Sequence, residues 1–160
     1  MTPLENLARL GIALPPVSVP AAAYVPFVQS GRQIWLSGHI ARQNGAVWTG
    51  KLGDTLATPQ GQAAARAVAI DLLGTLHAAA GDLNRVARIV KLVCLVSSAP
   101  DYTEQHLVAN GASELLAEVF GPQGQHARSA YGVAQLPLGA CVEIELVAEL
   151  ADREPASAFA

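Results

Sequence analysis

The sequence predicts a single α+β domain in which two helices cover one face of a mostly antiparallel sheet. Some segments have apolar residues at the spacing of a helix, and others are short apolar runs typical of strands. Along the chain these segments follow the order β-β-β-α-β-α-β-β. The chain has 160 residues, a length that suits one domain with one core. Hydrophobic residues make up 51% of the chain and aromatic residues only 5%, which favours small side chains packed between helices and a sheet.

The first third of the chain predicts a short helix and three strands. Residues 3–10 have helical spacing and stop before Gly11, which suits a helix C-terminus. Two runs rich in β-branched and aromatic residues, separated by the turn signal Ser30-Gly31, predict a hairpin. The hairpin strands and the third strand cover residues 24–28, 33–37 and 46–48.

The middle of the chain predicts a long helix followed by a central strand. Thr58 suits the N-cap and Pro59 the first helical position. The apolar stripe that follows ends at Gly81-Asp82. Residues 86–96 are almost continuously apolar and β-branched, which predicts a strand buried on both faces.

The last third predicts a second helix and two strands. Asp101 and Glu104 form a candidate capping pair, and the helix stops near Gly121. The strands at 127–136 and 140–150 are joined by a short turn and are expected to pair as a hairpin. Such a hairpin would set residues 128 and 143 about 13 Å apart.

Composition and charge exclude several classes of function. The formal net charge is −3 with no basic run, which disfavours nucleic-acid binding. No uninterrupted apolar run is long enough to cross a bilayer, and the N-terminus does not resemble a secretory signal. Cys94 and Cys141 lie in apolar runs and are expected to be buried free thiols, which suits the cytoplasm. The high apolar content of so small a chain also predicts that part of its surface is buried in a subunit interface.

Motifs for common catalytic chemistries are missing from the sequence. The four histidines lack the spacing of a metal site, and there is no Cys-x-x-Cys, phosphate loop or Gly-x-Ser-x-Gly. We therefore expect no metal and no cofactor. Of the histidines, only His126 deserves notice, because it is next but one to an arginine in a predicted strand.

Polar residues inside apolar elements mark a candidate anion site. Arg128 lies in a strand among small residues, and its planar fork suits a carboxylate. A structural ion pair with Glu143 or Glu145 across a subunit interface is the alternative. These two glutamates share one sheet face, where they could orient water or form a polar interface. Asn110, followed by glycine inside a helical pattern, could serve anchoring or packing.

Several motifs together resemble the Rid/YjgF family. The main one is Ala-Arg-Ser at 127–129 followed by Val-x-x-Leu-Pro at 133–137, then the glutamate-alternating strand 142–147. Leu-Ser-Gly-His-Ile at 36–40, Gly-Asp-Leu at 81–83 and Ile-Val-Lys at 89–91 agree in order and spacing. The resemblance covers about residues 21–150. Residues 1–20 would be an N-terminal extension, and 151–160 a disordered tail.

The resemblance implies a chorismate-mutase-like fold, a homotrimer and clefts at the subunit interfaces. It also implies hydrolysis of 2-imino or enamine acids to 2-keto acids and ammonia. Family members that do this bind the substrate carboxylate with an arginine that matches Arg128 and position water with a glutamate that matches Glu143. Their asparagine and glycine match Asn110 and Gly38, and Ser37 with Gly38 could present backbone groups to the ligand.

Two departures from the family pattern bear on activity. Phe27 stands where deaminating members carry a tyrosine, and Ala130 where they carry a cysteine. Ala130 can substitute if the cysteine acts through its backbone, whereas the tyrosine hydroxyl is lost. A non-catalytic protein that binds a small carboxylate is therefore the alternative. Endoribonuclease activity, a label common in this family, is disfavoured by the acidic charge.

Overall fold

A five-stranded mixed sheet forms the centre of the molecule. The computed structural model describes residues 1–17 and 23–152. The sheet contains β1 (Phe27–Ser30), β2 (Gln33–Ile40), β5 (Val86–Ser97), β6 (Ala127–Val133) and β7 (Val142–Leu150), and a separate ribbon contains β3 (Arg42–Gln43) and β4 (Ala46–Val47). The strand order is β1-β2-β7-β5-β6. Only the β5–β6 pair is parallel.

The helices pack on one face of this sheet, as the sequence predicts. They are α1 (Pro3–Arg9), α2 (Thr58–Ala80), α3 (Gln105–Val108) and α4 (Asn110–Phe120). Helix α2 lies against β2 and β7, α4 lies against α2, and α1 lies against α4. The core between helices and sheet is built from aliphatic side chains, among them Leu72, Leu76, Leu92, Leu116 and Ile144, all of which are at most 1% exposed.

Helix α2 is the core helix of the domain. Thr58 is its first residue rather than its N-cap, which is Ala57. The backbone N–H of Ala57 donates to Oε1 of Gln60 at 2.8 Å, so a glutamine replaces the expected threonine cap. By length and composition alone α2 could cross a membrane, but 56% of its most apolar window is buried inside the fold. Its apolar character is accounted for by this packing.

The predicted hairpin is confirmed, with shifted ends. Strands β1 and β2 pair from Ser30 and Gln33 outward, but β1 begins at Phe27 rather than at residue 24. The pairing of β2 with β7 shifts register between Leu36 and His39, which is a β-bulge. The bulge re-aims the side chains of the intervening residues relative to β7.

The predicted hairpin between the last two strands is wrong. Strand β5 lies between β6 and β7, and Leu92 is in register with both Arg128 of β6 and Leu146 of β7. Helices α3 and α4 carry the chain from β5 to a parallel β6, as parallel strands require a crossover. The apolar β5 therefore becomes central, and the short turn at 137–139 connects strands that are not neighbours.

The second predicted helix is broken in two. Its parts, α3 and α4, meet at Ala109. The expected capping pair is absent: Glu104 precedes α3 without capping it, and its carboxylate accepts a hydrogen bond from the Thr58 hydroxyl instead. Asp101 lies in an exposed turn. The break is what allows Asn110 to begin a helix.

Among residues 1–17 and 23–152, no element covers the sheet face opposite the helices, called the open face below. Side chains of β5 alternate between buried and half-buried, so the predicted burial on both faces holds for one face only. Large apolar side chains on the open face are half exposed: Val28 (55%), Trp35 (52%) and Tyr131 (49%).

The predictions for the thiols and the chain ends have different outcomes. Cys94 and Cys141 are buried free thiols, as expected. Burial raises the pKa of Cys94 to about 12 and that of Cys141 to about 11, so both are unreactive. Helix α1 is confirmed and is capped reciprocally by Thr2 and Glu5. The predicted disordered tail lies, from residue 153 onward, outside the described residues.

Candidate functional site

Arg128 is held by three hydrogen bonds from its own chain. It lies on β6 in register with the buried Leu92, so its side chain points to the helix side of the sheet. Its Nη1 donates to Oδ1 of Asn110 at 2.9 Å and to Oγ of Ser113 at 3.1 Å, and its Nη2 donates to the carbonyl of His106 at 3.0 Å. A guanidinium has five N–H donors, so two remain within the described structure for a ligand.

The local fold explains the Asn110-Gly111 pair. Asn110 is the first residue of α4, which places its amide beside β6. A Cβ on Gly111 would lie 2.0 Å from the carbonyl oxygen of Gln62 in α2, so only glycine allows the two helices to approach this closely. Asn110 therefore anchors Arg128, and Gly111 allows α4 to pack closely on α2. The two alternatives that the sequence left open both hold, one for each residue.

Beyond Arg128, the hydrogen bonds continue to Ser113 and His126. Oγ of Ser113 lies 3.0 Å from Nε2 of His126, and Nδ1 of His126 lies 2.6 Å from the carbonyl oxygen of Gly124. Burial lowers the pKa of His126; the bond to Gly124 opposes this shift and the charge of Arg128 adds to it. The sequence pointed to His126 but gave no signal for Ser113.

A cleft of about 270 Å³ opens beside this cluster. Its walls are formed by Ser113, Ala117, Gly124, Gln125, His126 and Arg128. We call Arg128, Asn110, Ser113 and His126 the arginine half-site. Its net character is cationic, because the guanidinium has neutral partners rather than a carboxylate. Among the described residues of one chain, Arg128 forms no ion pair with Glu143 or Glu145. The alternative of such a pair across a subunit interface stays open.

Glu143 and Gly38 lie together elsewhere on the sheet. A Cβ on Gly38 would lie 2.2 Å from Oε1 of Glu143, so the carboxylate rests directly on the glycine backbone at the bulge. Burial raises the pKa of Glu143, and the neighbouring charge of Glu145 raises it further. We call Glu143, Gly38 and Ser37 the glutamate half-site.

Ser37 fixes the segment that leads into β1. Its Oγ donates to the carbonyl of Val25 at 2.6 Å and its backbone N–H donates to the carbonyl of Pro26 at 3.0 Å. The preceding residue, Tyr24, is half exposed. The described segment before β1 therefore offers the phenol of Tyr24 to solvent, a residue that the sequence did not single out.

Phe27 and Ala130 both lie on the helix side of the sheet. Phe27 pairs with Leu36 and packs against the core, so within one chain it is not beside Glu143. Its role in a cleft between subunits stays a prediction. Ala130 pairs with Cys94 on the helix side of β6, the same side as Arg128. Its side chain packs on the core, which leaves only its backbone for a ligand.

One chain does not bring the two half-sites together. Glu143 is in register with Leu95 and alternates with the buried Ile144, so it points to the open face. Arg128 points to the helix side on the far side of β5. A small ligand cannot touch both groups of one chain, since the sheet lies between them. The distance between residues 128 and 143 that was expected from a hairpin does not apply, because β6 and β7 do not pair.

Comparisons with known proteins agree with this architecture. Residues 5–150 match the family described as "YjgF/chorismate_mutase-like, putative endoribonuclease". The chain belongs to the Rid/YjgF family. Protein TCP17 of Trypanosoma cruzi is 52% identical over 147 residues, which is 91% of this chain and 92% of that protein.

Solved Rid/YjgF structures include relatives of the same length. Atu1372 of Agrobacterium tumefaciens, described as of unknown function, is 40% identical with a TM-score of 0.85 and 94% coverage of both chains. A "putative endoribonuclease" of Shewanella oneidensis is 30% identical with a TM-score of 0.90, covering 94% of this chain and all of its own. The family match begins at residue 5, inside the segment that the sequence analysis treated as an extension.

Proposed function

We propose that Arg128 of one subunit and Glu143 of a neighbouring subunit form one cleft that hydrolyses 2-imino acids. The observation that carries this proposal is the arginine half-site, where a guanidinium held by neutral partners keeps two free N–H donors. The half-exposed apolar residues of the open face support an assembly, and a homotrimer is the form that the family resemblance implies.

The proposed reaction adds water to the imine carbon. The carboxylate of the substrate binds Arg128, which orients C2 toward the neighbouring Glu143. The glutamate takes a proton from water as the oxygen attacks C2 and passes that proton to the nitrogen, which gives a carbinolamine. The hydroxyl proton of the carbinolamine then moves to the nitrogen through the same carboxylate, and the C–N bond breaks to release ammonia and the 2-keto acid. Atoms balance as imine plus water to ketone plus ammonia, and no oxidant or reductant takes part.

The surroundings of Glu143 suit a general base. Burial and the charge of Glu145 raise its pKa, and a base is most effective when its pKa approaches the working pH. Gly38 leaves room for the carboxylate beside the backbone. Tyr24 precedes Val25, whose carbonyl accepts a hydrogen bond from Ser37, and its half-exposed side chain would supply the hydroxyl that Phe27 lacks.

Trapping of the imine tests this proposal. An amino-acid oxidase generates the 2-imino acid, semicarbazide traps it, and the purified protein is added in increasing amounts. We expect semicarbazone formation to slow as hydrolysis competes with trapping. Undiminished semicarbazone formation at high protein concentration would contradict the proposal.

A non-catalytic carboxylate-binding protein is the second candidate. It is favoured by the arginine half-site, where an oriented guanidinium beside a cleft can donate hydrogen bonds to an anion without any contribution from Glu143. Calorimetry with 2-oxobutanoate would then show binding that Arg128→Ala abolishes, with no turnover of the imine.

RNA cleavage is the activity that the names of several relatives suggest. The net charge of −3 gives little electrostatic affinity for a phosphate backbone. We therefore expect no RNA cleavage by protein freed of contaminating nucleases. Cleavage that survives that purification and is lost in Arg128→Ala would replace the deaminase proposal.

A further inference from the structure

The two ring nitrogens of His126 have different partners, and this fixes the tautomer. The carbonyl oxygen of Gly124, 2.6 Å from Nδ1, can only accept a hydrogen bond, so Nδ1 carries the proton. In a neutral ring, Nε2 is then an acceptor, and the hydroxyl of Ser113 donates to it. Both nitrogens are used inside the protein. His126 therefore does not reach a ligand directly.

This arrangement directs the lone pairs of Ser113 toward Arg128. Because the hydroxyl proton of Ser113 is committed to His126, its oxygen can only accept from other groups, and Nη1 of Arg128 donates to it at 3.1 Å. Asn110 takes the other proton of Nη1 at 2.9 Å. The chain of bonds from Gly124 through His126 and Ser113 thus sets the plane of the guanidinium.

We propose that His126 and Ser113 are positioning residues that hold the Arg128 guanidinium ready for the ligand carboxylate. The proposal rests on the function proposed above, in which Arg128 binds that carboxylate. Loss of the bond from Arg128 to Ser113 leaves the guanidinium with its bonds to Asn110 and to the carbonyl of His106, so it rotates more readily and is less often in the binding geometry when a ligand arrives.

Nitrogen-15 NMR of the full-length protein tests the positioning without any ligand. We expect the shifts of His126 to report a protonated Nδ1 and an unprotonated Nε2, and the Nη groups of Arg128 to give separate signals because their rotation is slow. In Ser113→Ala the two Nη groups should exchange faster and their signals should broaden, because one of the bonds that restrain them is lost. Ser113→Thr, which retains the hydroxyl, should restore the wild-type line shapes. A proton on Nε2, or Nη exchange in Ser113→Ala as slow as in the wild type, would overturn the proposal.

Calorimetry with 2-oxobutanoate tests the consequence for binding. Ser113→Ala and His126→Ala should each weaken binding about 5- to 10-fold, the effect of one lost hydrogen bond. His126→Gln keeps an acceptor near Ser113 and should retain most of the affinity. Ser129→Ala is the matched control, because this hydroxyl neighbours Arg128 but bonds Lys91 on the open face. Wild-type affinity in folded Ser113→Ala, checked by melting, contradicts the positioning role.

The two experiments separate the two proposals. If 2-oxobutanoate does not bind the wild-type protein, the carboxylate function fails. The NMR signals of the free protein still decide whether Ser113 and His126 hold the guanidinium.

Discussion

The guanidinium of Arg128 and the carboxylate of Glu143 point to opposite faces of one sheet, with β5 between their strands. Arg128 is in register with Leu92 and bonds the helices, whereas Glu143 is in register with Leu95 and rests on Gly38. Hydrogen bonds from Arg128 to its neighbours orient the guanidinium, and burial raises the pKa of Glu143. A ligand that needs both must therefore lie between two copies of the chain.

Replacing Arg128 tests the anion-binding role. Arg128→Ala should weaken 2-oxobutanoate binding by about 10- to 100-fold, because hydrogen bonds to a charged group are lost. Arg128→Lys should recover only part of this, since an ammonium lacks the planar fork. Calorimetry measures both. Arg66→Lys, which alters a surface arginine paired with Glu118, should bind as the wild type does.

Replacing Glu143 separates turnover from binding. Glu143→Gln keeps the shape of the side chain but cannot take a proton, so kcat for imine hydrolysis should fall by about 100-fold or more. Binding of 2-oxobutanoate should change little. The variant should melt no lower than the wild type, since burial disfavours the charge that is removed. A kcat equal to the wild-type value would exclude Glu143 as the base.

Gly38→Ala tests the contact between Gly38 and Glu143. The new methyl group would lie 2.2 Å from Oε1 of Glu143 and must displace the carboxylate, so turnover should fall. The effect should be absent when Glu143→Gln is already present, because the displaced group is then inactive. A double-mutant cycle on kcat measures this coupling. Additive losses would show that Gly38 acts by another route.

Buried histidines make stability depend on pH. Burial lowers the pKa of His39 and of His126, so the unfolded chain binds protons more readily than the folded chain. Their contribution to the free energy of unfolding is therefore lost as the pH falls below about 6.5. The raised pKa of Glu143 acts in the opposite sense at lower pH. Urea unfolding should show a smaller loss between pH 7.5 and 5.5 in His39→Gln than in the wild type. Equal losses would contradict this.

The fold was predictable where patterns are local. The stripe of α2, the turn of the first hairpin and the apolar run of β5 each depend on residues close in sequence. The strand that pairs with β6 was not predictable. Strands β6 and β7 are joined by a short turn, and such strands usually pair, so nothing local reveals that β5 lies between them. The break between α3 and α4 lies next to the close approach of Gly111 to Gln62, 49 positions away in the sequence, which no local pattern reveals.

The site was predictable where the family pattern marks its residues. Arg128 and Asn110 do meet, as their shared assignment to one site suggested, and so do Gly38 and Glu143. Ser113 was missed because one serine in an amphipathic helix carries no pattern. Phe27 was assigned from the family pattern, and its role in a cleft between subunits stays a prediction. Within one chain its ring packs on the core, whereas Tyr24 is half exposed.

Mixed assemblies test the shared cleft most directly. Arg128→Ala and Glu143→Gln are each expected to be inactive. When the two variants are unfolded together and refolded in equal amounts, about one quarter of the clefts should combine an intact arginine with an intact glutamate from different chains. Imine hydrolysis should then recover to about one quarter of the wild-type rate per chain. Activity no higher than that of the two variants refolded separately would contradict a site shared between subunits.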